Sequence, residues 1–252
     1  MEEVSVLKVR IRFRKYGRMK FIGHLDIMRY FQKAIRMSGI DVCYSEGFRP
    51  HQIMSFAAPL GVGLTSDGEY LDLEVHTSRS SQASIAALNA VMPEGMEITG
   101  YVQLADHEKT AMSVVCAADY ETWYKQEAKV PEKMRDFAEL NGLLQKFFQE
   151  PAQVLVTKKT KKSEKIIDVK PLVYDFRILE PQERFLFHPA FYLDVCTGSV
   201  DNVKPELILE AFFGFAQVEY DPYALQIHRK DVYYMDADGK RKTLLQAGVE
   251  IP

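Results

Sequence analysis

Cysteine is scarce in this chain: among 252 residues there are three, Cys43, Cys116 and Cys196. They lie far apart and never form a C-x-x-C pair. That excludes a disulfide framework, a zinc ribbon and a self-contained iron–sulfur site, and it fits a reducing compartment. Long apolar runs are missing too. The longest weakly polar stretch, Ile53 to Leu64, is interrupted by Pro59, Gly61 and Gly63 and is too short to span a bilayer. The opening "MEEVSVLKVR" has acids where a secretory leader needs basic residues, so the expected location is the cytoplasm, with no membrane partner. No G-K-[ST] loop, G-x-S-x-G or H-E-x-x-H occurs. P-loop nucleotide binding, α/β-hydrolase chemistry and a zincin site are thereby removed, and no cofactor or metal is expected.

What is present is the composition of a folded domain, 47% apolar and 27% charged residues, with the charge unevenly spread. Met1 to Gln52 carries 11 Lys and Arg against 5 Asp and Glu, a surplus of six. The remainder carries 21 against 30, a deficit of nine, which gives the net charge of −3. A one-sided basic surface attracts phosphates.

Val4 to Arg14 alternates strictly, with Leu7, Val9, Ile11 and Phe13 on one side and Lys8, Arg10, Arg12 and Arg14 on the other. Period two predicts a half-buried strand with a basic outer face. "HLDIMRYFQKAIRMSG" places Leu25, Met28, Phe31 and Ile35 at helical spacing, with Arg29, Lys33 and Arg36 as a second basic stripe. "IDVCYS" and "EYLDLEVH" read as strands, "SSQASIAALNAVM" as a helix and "MEITGYVQLA" as a strand. The order to residue 105 is β-α-β-β-α-β. It restarts with "MSVVCAADYETWY" as a strand, Pro131 to Phe148 as one helix, and "AQVLVTKK", "LVYDFRIL" and "RFLFHPAFYLDVC" as strands. The helix "KPELILEAFFG" and the strand "YALQIHRKDVYYM" complete a second βαββαβ set with an extra strand. The expected fold is α+β: two tandem ferredoxin-like (βαββαβ) domains with antiparallel sheets, over 1–106 and 111–252, with the seam in "DHEKT". The lysine run Lys158 to Lys165 reads as a charged hairpin tip.

The chemistry-bearing residues gather in "YSEGFRPHQIMSF", Tyr44 to Phe56. Glu46-Gly47 and Arg49-Pro50 are turn chemistry, with Gly free to take positive φ and Pro pushing Arg49 extended. His24 and Asp26, at the start of the first helix, are its nearest partners in type. Three readings follow. His24 and His51 could serve as acid and base of a metal-independent endoribonuclease, with Arg49 or Arg29 stabilising the transition state. His24, Asp26 and His51 could bind a metal, though without a tight ligand spacing. The loop and both basic faces could instead grip RNA backbone without catalysis, with Tyr44, Phe48 and Phe56 available for stacking. The residues expected to make that grip are Arg10, Arg12, Arg14, Arg29, Lys33, Arg36, Arg49 and His51. His76, His107, His188 and His228 have no partners in sequence and read as structural.

The segment Val9 to Val75, with "GHLDIMR", "YSEGFRPH", "SF" and "PLG…GEYLD", resembles the bacterial radical-SAM-linked family, a domain of unknown function. Sparser matches follow at "IDVKPLV" and "LQIHRKDVYY". Gly23 stands where the family usually has Ser, and Gln52 where Pro is frequent. The resemblance implies an accessory or substrate-presenting role beside a radical SAM protein, with RNA as the substrate. This chain has no C-x-x-x-C-x-x-C cluster motif, so the radical enzyme would be the partner. A protein–protein adaptor, docking an acidic partner through the same loop, is a third class of function.

Overall fold

The computed structural model describes residues 6–159, 164–198 and 201–252. It is a mixed α+β chain with mostly antiparallel strands. In chain order the elements are β1 (Leu7–Lys15), α1 (His24–Met37), β2 (Met54–Phe56), β3 (Thr65–Val75), α2 (Ser81–Asn89) and β4 (Met96–Leu104). There follow α3 (Ala111–Val114), β5 (Val115–Tyr124), α4 (Phe137–Leu144), β6 (Leu155–Lys159), β7 (Glu164–Asp168), β8 (Val173–Leu179) and β9 (Ala190–Cys196). The last are α5 (Pro205–Phe215), β10 (Leu225–Met235), β11 (Arg241–Thr243) and β12 (Gly248–Val249). Among the described residues no helix is long and apolar enough to cross a membrane.

The chain divides into two compact units, and the division does not follow the expected seam. The first runs to Cys116 and also takes Asp231–Pro252; the second is Ala117–Lys230. Both boundaries fall inside strands, β5 and β10. The reason lies in the last residues. Gly248 and Val249 of β12 pair with Leu104 and Gln103 of β4, and Ser81 and Ile251 exchange two hydrogen bonds of 2.9 and 2.8 Å. No local pattern announces such long-range stitching.

In the first unit the strand order is β12-β4-β1-β3, with β2 also paired to β3. The contacts of β1 with β3 and β4, and of β2 with β3, are antiparallel. The apolar side of β1 behaves as expected: Val9, Ile11 and Phe13 are buried, and Phe13 meets Phe31 of α1 edge-on at 4.7 Å. Helix α1 is rotated from its expected register. Ile27, Phe31, Ala34 and Ile35 make the buried stripe, whereas Leu25 is 64% exposed. At about 100° per residue Leu25 lies nearly opposite Ile27, so only one of the two can face the core. Asp26 in the first turn suits the helix dipole. Gly68 of β3 must be glycine, because a Cβ there would come within 2.6 Å of the Asp231 Cα.

In the second unit the order is β10-β5-β9-β8, and β6 and β7 form a separate two-stranded ribbon. Its core is aromatic: Phe212 of α5 meets Phe147, Phe176 and Phe191 at ring distances of 5.5, 5.5 and 6.0 Å. The single helix expected over Pro131 to Phe148 is three pieces: a 3-10 turn at Glu132–Met134, α4, and a π turn at Gln145–Gln149. Asp136 restarts the helix as its N-cap, accepting from Glu139 N at 2.8 Å. The first turn of the expected strand at Met112 is helical instead, as α3, and β7 is an additional strand. Of the lysine run, Lys158 and Lys165 pair across β6 and β7, while Lys161 and Lys162 lie outside the described residues.

Candidate nucleic-acid interface

Tyr44 to Gln52 forms a tight hairpin. Tyr44 and Gln52 make a β-bridge, and Ser45 N donates to the His51 carbonyl at 2.8 Å. The Ser45 hydroxyl lies 2.8 Å from His51 Nδ1 and accepts from His51 N at 3.1 Å. Gly47 closes the tip with φ of +108°, which disfavours any side chain. Glu46, Phe48, Arg49 and Pro50 are thus held out in solvent, Phe48 completely, and Tyr44 is 46% exposed. Below the tip, the buried Gln52 side chain donates from Nε2 to the Gln32 carbonyl of α1 at 3.2 Å. The hairpin base is therefore anchored to α1. On a helix, Arg29 and Arg36 share the flank of Gln32, and Lys33 borders it. All three are exposed.

These cations differ in how far they are already neutralised. Arg29 is bonded to Asp26 at 2.9 Å, i to i+3. Among the described residues the side chains of Lys33, Arg36 and Arg49 have no hydrogen-bonding or ionic partner.

The expected basic face of β1 is not a free surface. Arg10 is 1% exposed, and its Nε and Nη2 bind the two oxygens of Asp72 at 2.7 and 2.9 Å. It also donates to the carbonyls of Leu244 and Lys109. Arg12 reaches Asp231 at 2.9 Å, and the same carboxylate accepts from the Tyr70 hydroxyl at 2.7 Å. Burial and the neighbouring carboxylate push the Tyr70 phenol far above its ordinary range. Arg14, half exposed, lies between Asp67 and Glu97 at 2.7 and 3.1 Å. Arg10 and Arg12 are therefore internal ion pairs. A signal for this was present: "EYLDLEV" alternates too, and register sets Asp72 opposite Arg10 and Glu74 opposite Lys8.

The two candidate catalytic histidines are in different settings. His24 is half-buried, edge-on to Phe56 at 5.0 Å. Burial lowers its pKa; Glu69 opposes that effect and Lys15 adds to it. His51 is exposed and tied to Ser45. No hydrogen bond, ion pair or ring contact joins the two. The Ser45–His51 pair has the spacing of a nucleophile and base, but among the described residues no third group orients the imidazole. Asp26 is engaged with Arg29, and among the described residues no group of three His, Cys, Asp or Glu side chains could hold a metal. Phe56 is not a stacking platform: it packs on Phe13 and Phe31 at 6.1 and 5.5 Å. His228 sits 6.1 Å from Trp123 and belongs to the packing of the second unit. That unit holds a cleft of about 660 Å³, rimmed by Lys129, Phe213 and Tyr223, which contains none of the residues singled out from sequence.

No curated protein matches the chain. A solved structure titled "Crystal Structure of a Cbf5-Nop10-Gar1 Complex" is similar over 88% of this chain, with 11% identity and a TM-score of 0.43. The match spans 47% of that protein's chain, about half its length. A family model described as "Uncharacterized protein conserved in bacteria (DUF2344)" matches residues 8–205, a span that includes the hairpin, α1 and all three β1 arginines. The chain belongs to this bacterial family of unknown function.

Proposed function

We propose that the first unit binds RNA backbone without cutting it, and that the protein presents or recognises substrate for a radical SAM enzyme in RNA modification or processing. The observation that carries the reading is the division among its cations. Arg10 and Arg12 of β1 are taken up by internal acids and Arg14 by two surface acids, whereas among the described residues Lys33 and Arg36 on α1, and Arg49 on the hairpin anchored to it, stand exposed and unmatched. Unmatched surface cations beside an exposed aromatic side chain are the ordinary means of holding a single strand. The radical SAM partner rests on the motif resemblance alone. We also read both units as ferredoxin-like, on strand orders β4-β1-β3-β2 and β10-β5-β9-β8. The ribonuclease reading needs two histidines around one phosphate, and nothing in the geometry favours it.

Fluorescence anisotropy with a labelled RNA oligonucleotide across 50 to 200 mM salt tests the grip. Affinity should fall steeply with salt, and Arg36→Glu with Arg49→Glu should flatten the slope by about 0.7 for each phosphate no longer neutralised. Absence of binding at low salt, or an unchanged slope in the double variant, would sink the reading. A complex with a radical SAM protein that persists in high salt without RNA would favour the adaptor instead.

A further inference from the structure

Phe48 occupies the hairpin tip with its side chain wholly in water, at 108% exposure. Single exposed apolar residues are common and need no explanation. This one is different in how it is presented. The Tyr44–Gln52 bridge, the Ser45–His51 bonds and the Gln52–Gln32 anchor fix the hairpin beneath it, so little freedom remains to be lost on binding. Arg49 follows Phe48 directly in the exposed tip, and Arg36 and Lys33 continue the positive charge along α1.

We infer that Phe48 is a stacking platform for an unpaired base, so that the nucleic acid held by this face is single-stranded. The inference rests on the RNA-binding reading and narrows it. A duplex offers a loop only phosphates and base edges, and Phe has no donor or acceptor with which to read an edge. An unstacked base offers a π-face, and each base is flanked by a phosphate, which matches an aromatic ring next to an unpaired arginine. An anionic membrane is the competing occupant. One aromatic side chain beside the acidic Glu46 buries too little apolar area to hold that surface.

The test uses the full chain with a single-stranded RNA, the same strand annealed to its complement, and phosphatidylserine vesicles. Phe48→Ala should weaken single-strand binding roughly 5- to 150-fold while leaving the salt slope unchanged. Phe48→Trp should bind as well as the natural protein, and its emission should be quenched by the single strand but not by the duplex. Phe48 touches no core, so an unchanged melting curve certifies each variant. Equal affinity for strand and duplex, with no loss in Phe48→Ala, overturns this inference and leaves the backbone grip standing. Binding to vesicles alone, dependent on Phe48, overturns both, and so does absence of RNA binding in every arm.

Discussion

Arg10 of β1 and Asp72 of β3 face each other in register and join through two hydrogen bonds of 2.7 and 2.9 Å, with the guanidinium 1% exposed. The Asp72 carboxylate also accepts from Ala111 N at 2.6 Å, so both ends of the pair are tied to other segments.

Removing one partner of this pair strands a buried charge. Asp72→Ala should cost about 3–5 kcal/mol of unfolding free energy, measured by urea denaturation. Arg14→Ala breaks ion pairs whose arginine is 42% exposed and should cost less than about 1 kcal/mol. Equal effects from the two variants would show that the burial of Arg10 carries no energetic weight.

His24 makes stability depend on pH. Its folded pKa lies below the ordinary 6.5, so the unfolded chain binds the extra proton first as pH falls. The neutral imidazole's contribution is complete above 6.5 and is lost as pH falls below that value towards the depressed folded pKa. His24→Phe should therefore shrink the stability difference between pH 7.5 and 5.5. An identical pH profile in wild type and variant would exclude His24 as a source.

Gly68→Ala should lower the melting temperature, because the new methyl meets backbone at 2.6 Å and the neighbouring strand must move. Overpacking of this kind costs about 1–3 kcal/mol. A variant that melts with the wild type would show that β10 yields freely beside β3.

Ser45→Ala separates presentation from stability. It deletes both side-chain bonds to His51 at an exposed hairpin, so the melting curve should shift by less than about 1 kcal/mol. RNA affinity should nevertheless fall, since the tip must then be ordered on binding. Unchanged affinity would mean that the hairpin needs no preorganisation.

Much of the fold was legible where a single element carries its own period. The alternation of β1, the turn residues of the 44–52 hairpin and the exposed stripe of Arg29, Lys33 and Arg36 could all be read directly. Helix α1 was found but misphased, because Leu25 and Ile27 are equally apolar and only packing selects between them. The helix breaks around Asp136 are local but subtle, since the cap competes with an otherwise helical run. The return of Asp231–Pro252 to the first unit was not visible, because pairing between distant strands leaves no trace in either segment alone.

The candidate site divides in the same way. By itself the sequence determined that the chain turns between Tyr44 and Phe56, since Gly47 and Pro50 act within a few residues of backbone; the Ser45–His51 bonds that close the hairpin came from the structure. The sequence also determined that positive charge concentrates in the first fifty residues. Only the tertiary structure decided which of those charges remain available. Charge is a property of a residue, but neutralisation belongs to a pair, and Asp72 and Asp231 reach Arg10 and Arg12 only after strands far apart in the chain lie side by side.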